Sequence, residues 1–89
     1  MQISETQGTV FLSGKITAAT LNQEHCRRVY AAVGDAVHTV DLSGVERADS
    51  ACLSLLLALR RRHPQLGFAG LPEDLRALSA LYGTDDWVA

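Results

Sequence analysis

Asp49-Ser50 is the pair of residues in this chain whose types and spacing best suit chemistry at a surface. They stand between a short strand-like run, Val37 to Leu42, and a leucine-dense run, Ala51-Cys52-Leu53-Ser54-Leu55-Leu56-Leu57. Asp and Ser both cap helix N-termini by accepting hydrogen bonds from backbone N–H groups that have no partner within the helix. A small hydroxyl is thus expected at the mouth of a helix just past a strand, where open α/β sheets collect functional surface. Ser50 has two readings at this point. As a plain N-cap it contributes about 1 kcal/mol. As a regulatory or partner-contact hydroxyl it can carry a phosphate, which adds roughly −1.5 to −2 charges beside Asp49. Asp49 either caps the helix or orients the Ser50 hydroxyl.

The other candidate groups carry less. Arg60, Arg61 and Arg62 fall in a last helical turn, where cations complement the negative end of the helix dipole. His25, His38 and His63 are scattered, with neither triad nor metal-ligand spacing, and His25 beside Cys26 is the one hint of a metal site. No metal or other cofactor is therefore expected. Cys26 and Cys52 form no C-x-x-C pair and are expected to be small buried apolar residues without a disulfide. The chain has no G-x-x-x-x-G-K-S/T phosphate loop and no pair of carboxylates in an acid–base context, so no enzyme is predicted.

The elements that must position Asp49-Ser50 follow from pattern. Gln2 to Glu5 and Thr9 to Leu12 read as strands joined at Gln7-Gly8, and Ser13-Gly14 ends the second. Lys15 to Ala19 is a loop. Thr20 and Gln23 match a capping box opening a helix over 20–33. Its apolar face is Cys26, Val29, Tyr30 and Val33, and Gly34 closes it. Val37–Leu42 is a strand ended by the Ser43-Gly44 turn. A helix over 50–63 carries an apolar arc wider than one sheet face requires, which asks for deep packing or a second partner. Pro64 stops it. Leu66 to Gly70 is the next strand, and Pro72 sits at N1 of a helix over 72–82 with Leu75, Leu78, Leu81 and Tyr82 as its stripe. Gly83 ends that helix. The tail adds an edge strand or lies over the core through Trp87. The fold class is α/β: a mixed sheet of four or five strands with helices packed against it.

At 89 residues and 47% hydrophobic content, one domain is expected. A net charge of −2 offers no electrostatic case for nucleic acid. No apolar run approaches the ~20 residues that cross a bilayer, and the first residues lack a signal-peptide pattern. A cytoplasmic protein is expected.

D-L-S-G-V followed by A-D-S-A-C-L-S-L-L-L resembles the central signature of STAS domains, the family of bacterial anti-sigma factor antagonists. The resemblance runs from about Val10 to Gly83. It implies that Ser50 is the regulatory hydroxyl, subject to phosphorylation, and that Asp49, Ala51, Leu53 and Ser54 join it in partner binding. L-P-E-D-L-R-A-L-S-A-L-Y-G resembles one subgroup more closely, MlaB, the STAS subunit of the bacterial phospholipid ABC transporter. That resemblance implies a non-catalytic accessory subunit that binds the transporter's ATPase subunit and reaches the inner membrane only through it. The wider family implies the alternative, an antagonist released when an anti-sigma factor kinase phosphorylates Ser50. Cys52 stands where the family usually has glycine, which favours the transporter subunit.

Overall fold

The computed structural model describes residues 1–81, with side chains described through Ala77. The chain runs β1 (Gln2–Thr6), β2 (Thr9–Ile16), α1 (Gln23–Ala32), β3 (Thr39–Ala48), α2 (Ser50–Arg62), β4 (Gly67–Ala69) and α3 (Glu73–Leu81). The four strands form one sheet in the order β1-β2-β3-β4. β1 and β2 are antiparallel, while β2–β3 and β3–β4 are parallel, so α1 and α2 are the crossover helices of successive β-α-β units. The result is a single α/β domain with a mixed sheet, as expected, and the described residues contain no fifth strand.

Local chemistry explains the hairpin. Gln7 (φ 51°) and Gly8 (φ 83°) both lie in the left-handed region, the geometry of the two-residue turn whose twist matches paired strands. A Cβ on Gly8 would come within 2.7 Å of the His38 ring, so the turn position and the close approach both require glycine.

Several boundaries differ from the sequence expectation, among them β3, which begins at Thr39 and not Val37, and β4, which is Gly67–Ala69 and not Leu66 to Gly70; others have a plain physical reason. β2 does not end at Ser13-Gly14 but continues to Ile16, because register shifts beside Ser13 and Gly14 absorb the irregularity. Ser43-Gly44 is likewise no turn but the middle of β3. Asp41 Oδ1 accepts hydrogen bonds from the Ser43 N–H (2.8 Å) and the Ser43 hydroxyl (2.6 Å), a local bend inside a strand that then resumes. α1 begins at Gln23 and not at Thr20: Asn22 caps it by accepting from the His25 N–H. Thr20 instead closes the preceding loop, its hydroxyl accepting from the Thr17 N–H and donating to the Lys15 carbonyl. Gly34 does not close the helix in a left-handed cap. Val33 is the C-cap, and among the described residues the left-handed glycines are Gly8, Gly14 and Gly70.

Pro72 precedes α3 rather than opening it, its carbonyl accepting from Leu75 and Arg76. The expected roles of Leu78, Leu81, Tyr82, Gly83 and the Trp87 tail lie outside the described residues and side chains.

The core lies between the sheet and the helices. Val10, Leu12 and Ile16 from β2, Val40, Leu42 and Val45 from β3, and Phe68 from β4 meet Val29 and Val33 of α1, Leu56 and Leu59 of α2, and Leu75 of α3. Strand alternation places Phe11 on the opposite face of β2, where it is exposed.

α2 packs on both β3 and α3. Its wide leucine arc is therefore consumed internally: Leu53, Leu55, Leu56 and Leu59 are all buried, and Leu57 is half-buried. Each such burial contributes about 1.5–3 kcal/mol. The breadth of the arc thus reflects two neighbours within the domain.

Candidate functional site

Asp49 occupies the junction between β3 and α2, in extended conformation, and caps α2. Its Oδ1 accepts from the Ala51 N–H at 2.9 Å, and its carbonyl accepts from the N–H groups of Cys52 (3.0 Å) and Leu53 (3.3 Å). Its Oδ2 reaches 31 positions back along the chain to accept from the Ala18 N–H at 3.0 Å. One carboxylate thereby ties the β2–α1 loop to the mouth of α2. The Ala18 N–H holds its pKa below the usual carboxylate value; burial opposes this, and the N–H groups of Ala51 and Cys52 assist. Of the two roles read from sequence, the structure gives Asp49 that of cap. An ionised carboxylate held by donors is a clamp and a poor proton acceptor.

The cap function is accordingly not Ser50's. Ser50 is the first residue of α2 and is exposed, with its hydroxyl at the surface. Ser50, Leu53, Ser54 and Leu57 line a shallow cleft of about 130 Å³. On the far side of Ser54, Ala51, Ser54 and Leu55 of α2 face Leu21, Cys26 and Tyr30 of the α1 region across a groove of about 390 Å³. Of the residues singled out from sequence, Ser50, Leu53 and Ser54 thus share one cleft, Ala51 belongs to the neighbouring groove, and Asp49 holds both in place. Leu53 contributes mainly to the core, being 3% exposed.

Sequence reasoning missed the α1 side of this surface. Cys26 and Tyr30 sit on the predicted apolar face of α1, yet they are only half-buried, whereas Val29 and Val33 are buried. The expectation that both cysteines are buried therefore holds for Cys52 alone. Both are free thiols. Burial first, and the Asp49 charge second, push the Cys52 thiol up to about 12, which leaves it inert as a nucleophile.

Most of the remaining candidates have structural partners. The His25 Nδ1–H donates to the Thr20 carbonyl at 2.9 Å, locking the loop before α1. Arg60 Nε donates to the Pro64 carbonyl, and the Arg62 guanidinium lies 4.1 Å from the centre of the Tyr30 ring. Among the described residues no three His, Cys, Asp or Glu side chains cluster as metal ligands. No helix among them is long and apolar enough to cross a membrane. The candidate site is an exposed hydroxyl on a clamped helix mouth, flanked by two largely apolar depressions.

No curated protein matches the sequence. Among solved structures the fold is similar to that of the anti-sigma factor antagonist SpoIIAA in its unphosphorylated form, with a TM-score of 0.64 and 19% identity. The match covers 99% of this chain and 84% of that one, and at this identity it is a likeness of fold. A family model described as "Mlab, STAS domain" matches residues 1–89, and the chain belongs to the STAS domain family.

Proposed function

We propose that this chain is a non-catalytic accessory subunit of an ABC-type phospholipid transport system, docking on the ATPase subunit through the mouth of α2. STAS domains include both transporter subunits of the MlaB kind and antagonists of the SpoIIAA kind. The observation that carries the transporter reading is the full-length match to the family model described as "Mlab, STAS domain". The site suits such a role. Ser50 and Ser54 offer hydroxyls, Leu53 and Leu57 offer apolar lining, and Asp49 fixes the whole edge so that little ordering is lost on docking. On this reading the protein is cytoplasmic, peripheral to the inner membrane through its partner, and free of ATPase activity alone.

A second reading is favoured by the exposed Ser50 beside an ionised Asp49: an anti-sigma factor antagonist whose phosphorylation by a partner kinase releases it. Co-expression with the ATPase subunit of a phospholipid transporter from the same genome, followed by gel filtration, tests the first. Co-elution is the expected result, and two separate peaks at micromolar concentration overturn it. Formation of a complex with an anti-sigma factor kinase that dissociates when ATP is added establishes the second.

A further inference from the structure

The charge of this chain is unevenly divided among its elements. α1 and α2 carry five arginines (Arg27, Arg28, Arg60, Arg61 and Arg62) against one carboxylate, Glu24. They therefore hold a surplus of four positive charges in a chain whose net charge is −2, leaving three basic against nine acidic residues elsewhere. The same two helices leave a groove between them. Leu21 and Ala51 line it near the helices' N-terminal ends, while Tyr30 meets Arg62 near their C-terminal ends, so the helices run in the same direction. Cys26, Tyr30 and Leu55 form an apolar floor, and Arg27 lines an adjoining depression on α1 that shares Leu21, Cys26 and Tyr30 with the groove.

The two arginines bordering the groove are placed to receive a ligand. Arg27 pairs with Glu24 at 3.1 Å, but both side chains are largely exposed, and an exposed pair of this kind holds its arginine only weakly. Arg62 is held over the Tyr30 ring, which orients its guanidinium at the groove without neutralising it.

We propose that this groove binds an acidic amphipathic helical segment of a partner protein, with apolar side chains seated over Cys26, Tyr30 and Leu55 and carboxylates paired with Arg27 and Arg62. α1 has ten residues, so at 1.5 Å per residue the groove takes about three turns of such a helix. The recess is concave and bounded by two helices, which suits a third helix laid between them. A membrane surface would instead need protruding apolar side chains around the arginines. Phe11, the exposed large apolar residue among those described, projects from the other face of the sheet.

The groove adjoins the Ser50 cleft at Ser54, and the two are tested separately. The probe is a fluorescein-labelled synthetic peptide with leucine at helical i, i+3, i+4 and i+7 positions and glutamate at the remaining positions. Its counterpart carries lysine in place of every glutamate. The full chain should bind the glutamate peptide at least tenfold more tightly than the lysine peptide, with anisotropy changes that weaken as salt is raised. The double variant Arg27→Glu/Arg62→Glu should lose this preference. Arg47→Glu makes the same kind of charge change on β3, away from the groove, and should retain it. Thermal melts establish that each variant is folded. Four outcomes overturn the proposal: no binding of the glutamate peptide; equal loss in Arg47→Glu, which marks bulk charge alone; tighter, arginine-dependent binding to phosphatidylglycerol vesicles than to the peptide; or an arginine-dependent dimer in gel filtration, which makes the occupant a second copy.

Discussion

Substitution of Ser50 should separate stability from binding, because the cap belongs to Asp49 while the proposed docking surface includes Ser50. The cap of α2 is the Asp49 carboxylate, which accepts from the Ala51 N–H at 2.9 Å, while the Ser50 side chain is exposed at the first helical position. Removing its hydroxyl therefore leaves the cap intact. Ser50→Ala is expected to change stability by no more than about 0.5 kcal/mol, as for an ordinary surface site. In a domain of this size that is a shift in melting temperature of no more than about 2–4 °C. Ser50→Asp places a carboxylate in the first turn, where the helix dipole contributes about 0.3–1 kcal/mol. The ionised Asp49 next to it opposes that gain, so this variant too should melt near the wild type. Binding is a different matter. A carboxylate enclosed at an interface without a partner costs about 3–5 kcal/mol, or a hundredfold and more in affinity. Calorimetry against the ATPase subunit, with scanning calorimetry of each free variant, reads both quantities. Loss of a full 1 kcal/mol or more in Ser50→Ala would return the cap to Ser50. Wild-type affinity in Ser50→Asp would place the interface elsewhere.

Asp49→Ala should destabilise more than Asp49→Asn, since Asn keeps one acceptor for the two N–H groups of Ala18 and Ala51. Because the folded state lowers the Asp49 pKa from 3.8, its stabilising effect is complete above that value and is lost as pH falls through the lower folded value. The melting gap between wild type and Asp49→Ala should hold steady from neutral pH down to 3.8 and narrow below it; a gap that widens on acidification refutes the clamp. For thiols, the rise of Cys52 from 9.0 to about 12 lowers its thiolate fraction roughly a thousandfold at mildly alkaline pH, before its burial is considered. A thiol reagent on native protein should label the half-buried Cys26 and spare Cys52, and equal rates in mass spectrometry would mean that the first turn of α2 opens. Gly70 sits at φ 65°, where a Cβ would meet the Ser43 N at 2.8 Å. Gly70→Ala should cost about 1–3 kcal/mol by urea denaturation, whereas Gly34→Ala, with open space around it, should be close to neutral.

What could be read from the sequence was what depends on local period and composition. The helix over 50–62 announces itself through a capping pair, a leucine run and three arginines at its end, and Gln7-Gly8 carries its own turn geometry. What was not legible depends on distant parts of the chain. Ser43-Gly44 has the composition of a turn, but β3 stays paired with β2 across it, Ser13 opposite Gly44, and continues through it. Thr20 and Gln23 fit a capping box, yet the Thr20 hydroxyl is drawn to Lys15 and Thr17 by a loop that closes back on itself. In the site, Asp49-Ser50 was visible as a cap and a hydroxyl, but the second bond of the Asp49 carboxylate, from the Ala18 N–H far away in sequence, was not. The groove was hidden for a similar reason. Cys26 and Tyr30 share helical spacing with buried Val29 and Val33, and periodicity alone does not tell the core side of an apolar face from its rim.

The clamp also bears on how a modification of Ser50 would act. An anion at a helix N-terminus is ordinarily stabilised by the free N–H groups of the first turn. Here Asp49 already holds two of them, Ala51 through its carboxylate and Cys52 through its carbonyl, which also takes the first intrahelical bond, from Leu53. A phosphate on Ser50 would meet an ionised carboxylate in place of those donors, so its charge would not be absorbed by rearranging the first turn. It would instead project from an exposed position toward whatever covers the mouth of α2. A switch built this way works by repulsion and lost contact at the interface, with the fold behind it unchanged. The same physics serves both readings of the protein, since an ATPase subunit and a kinase alike would have to accept an uncompensated dianion at the centre of the surface they bind.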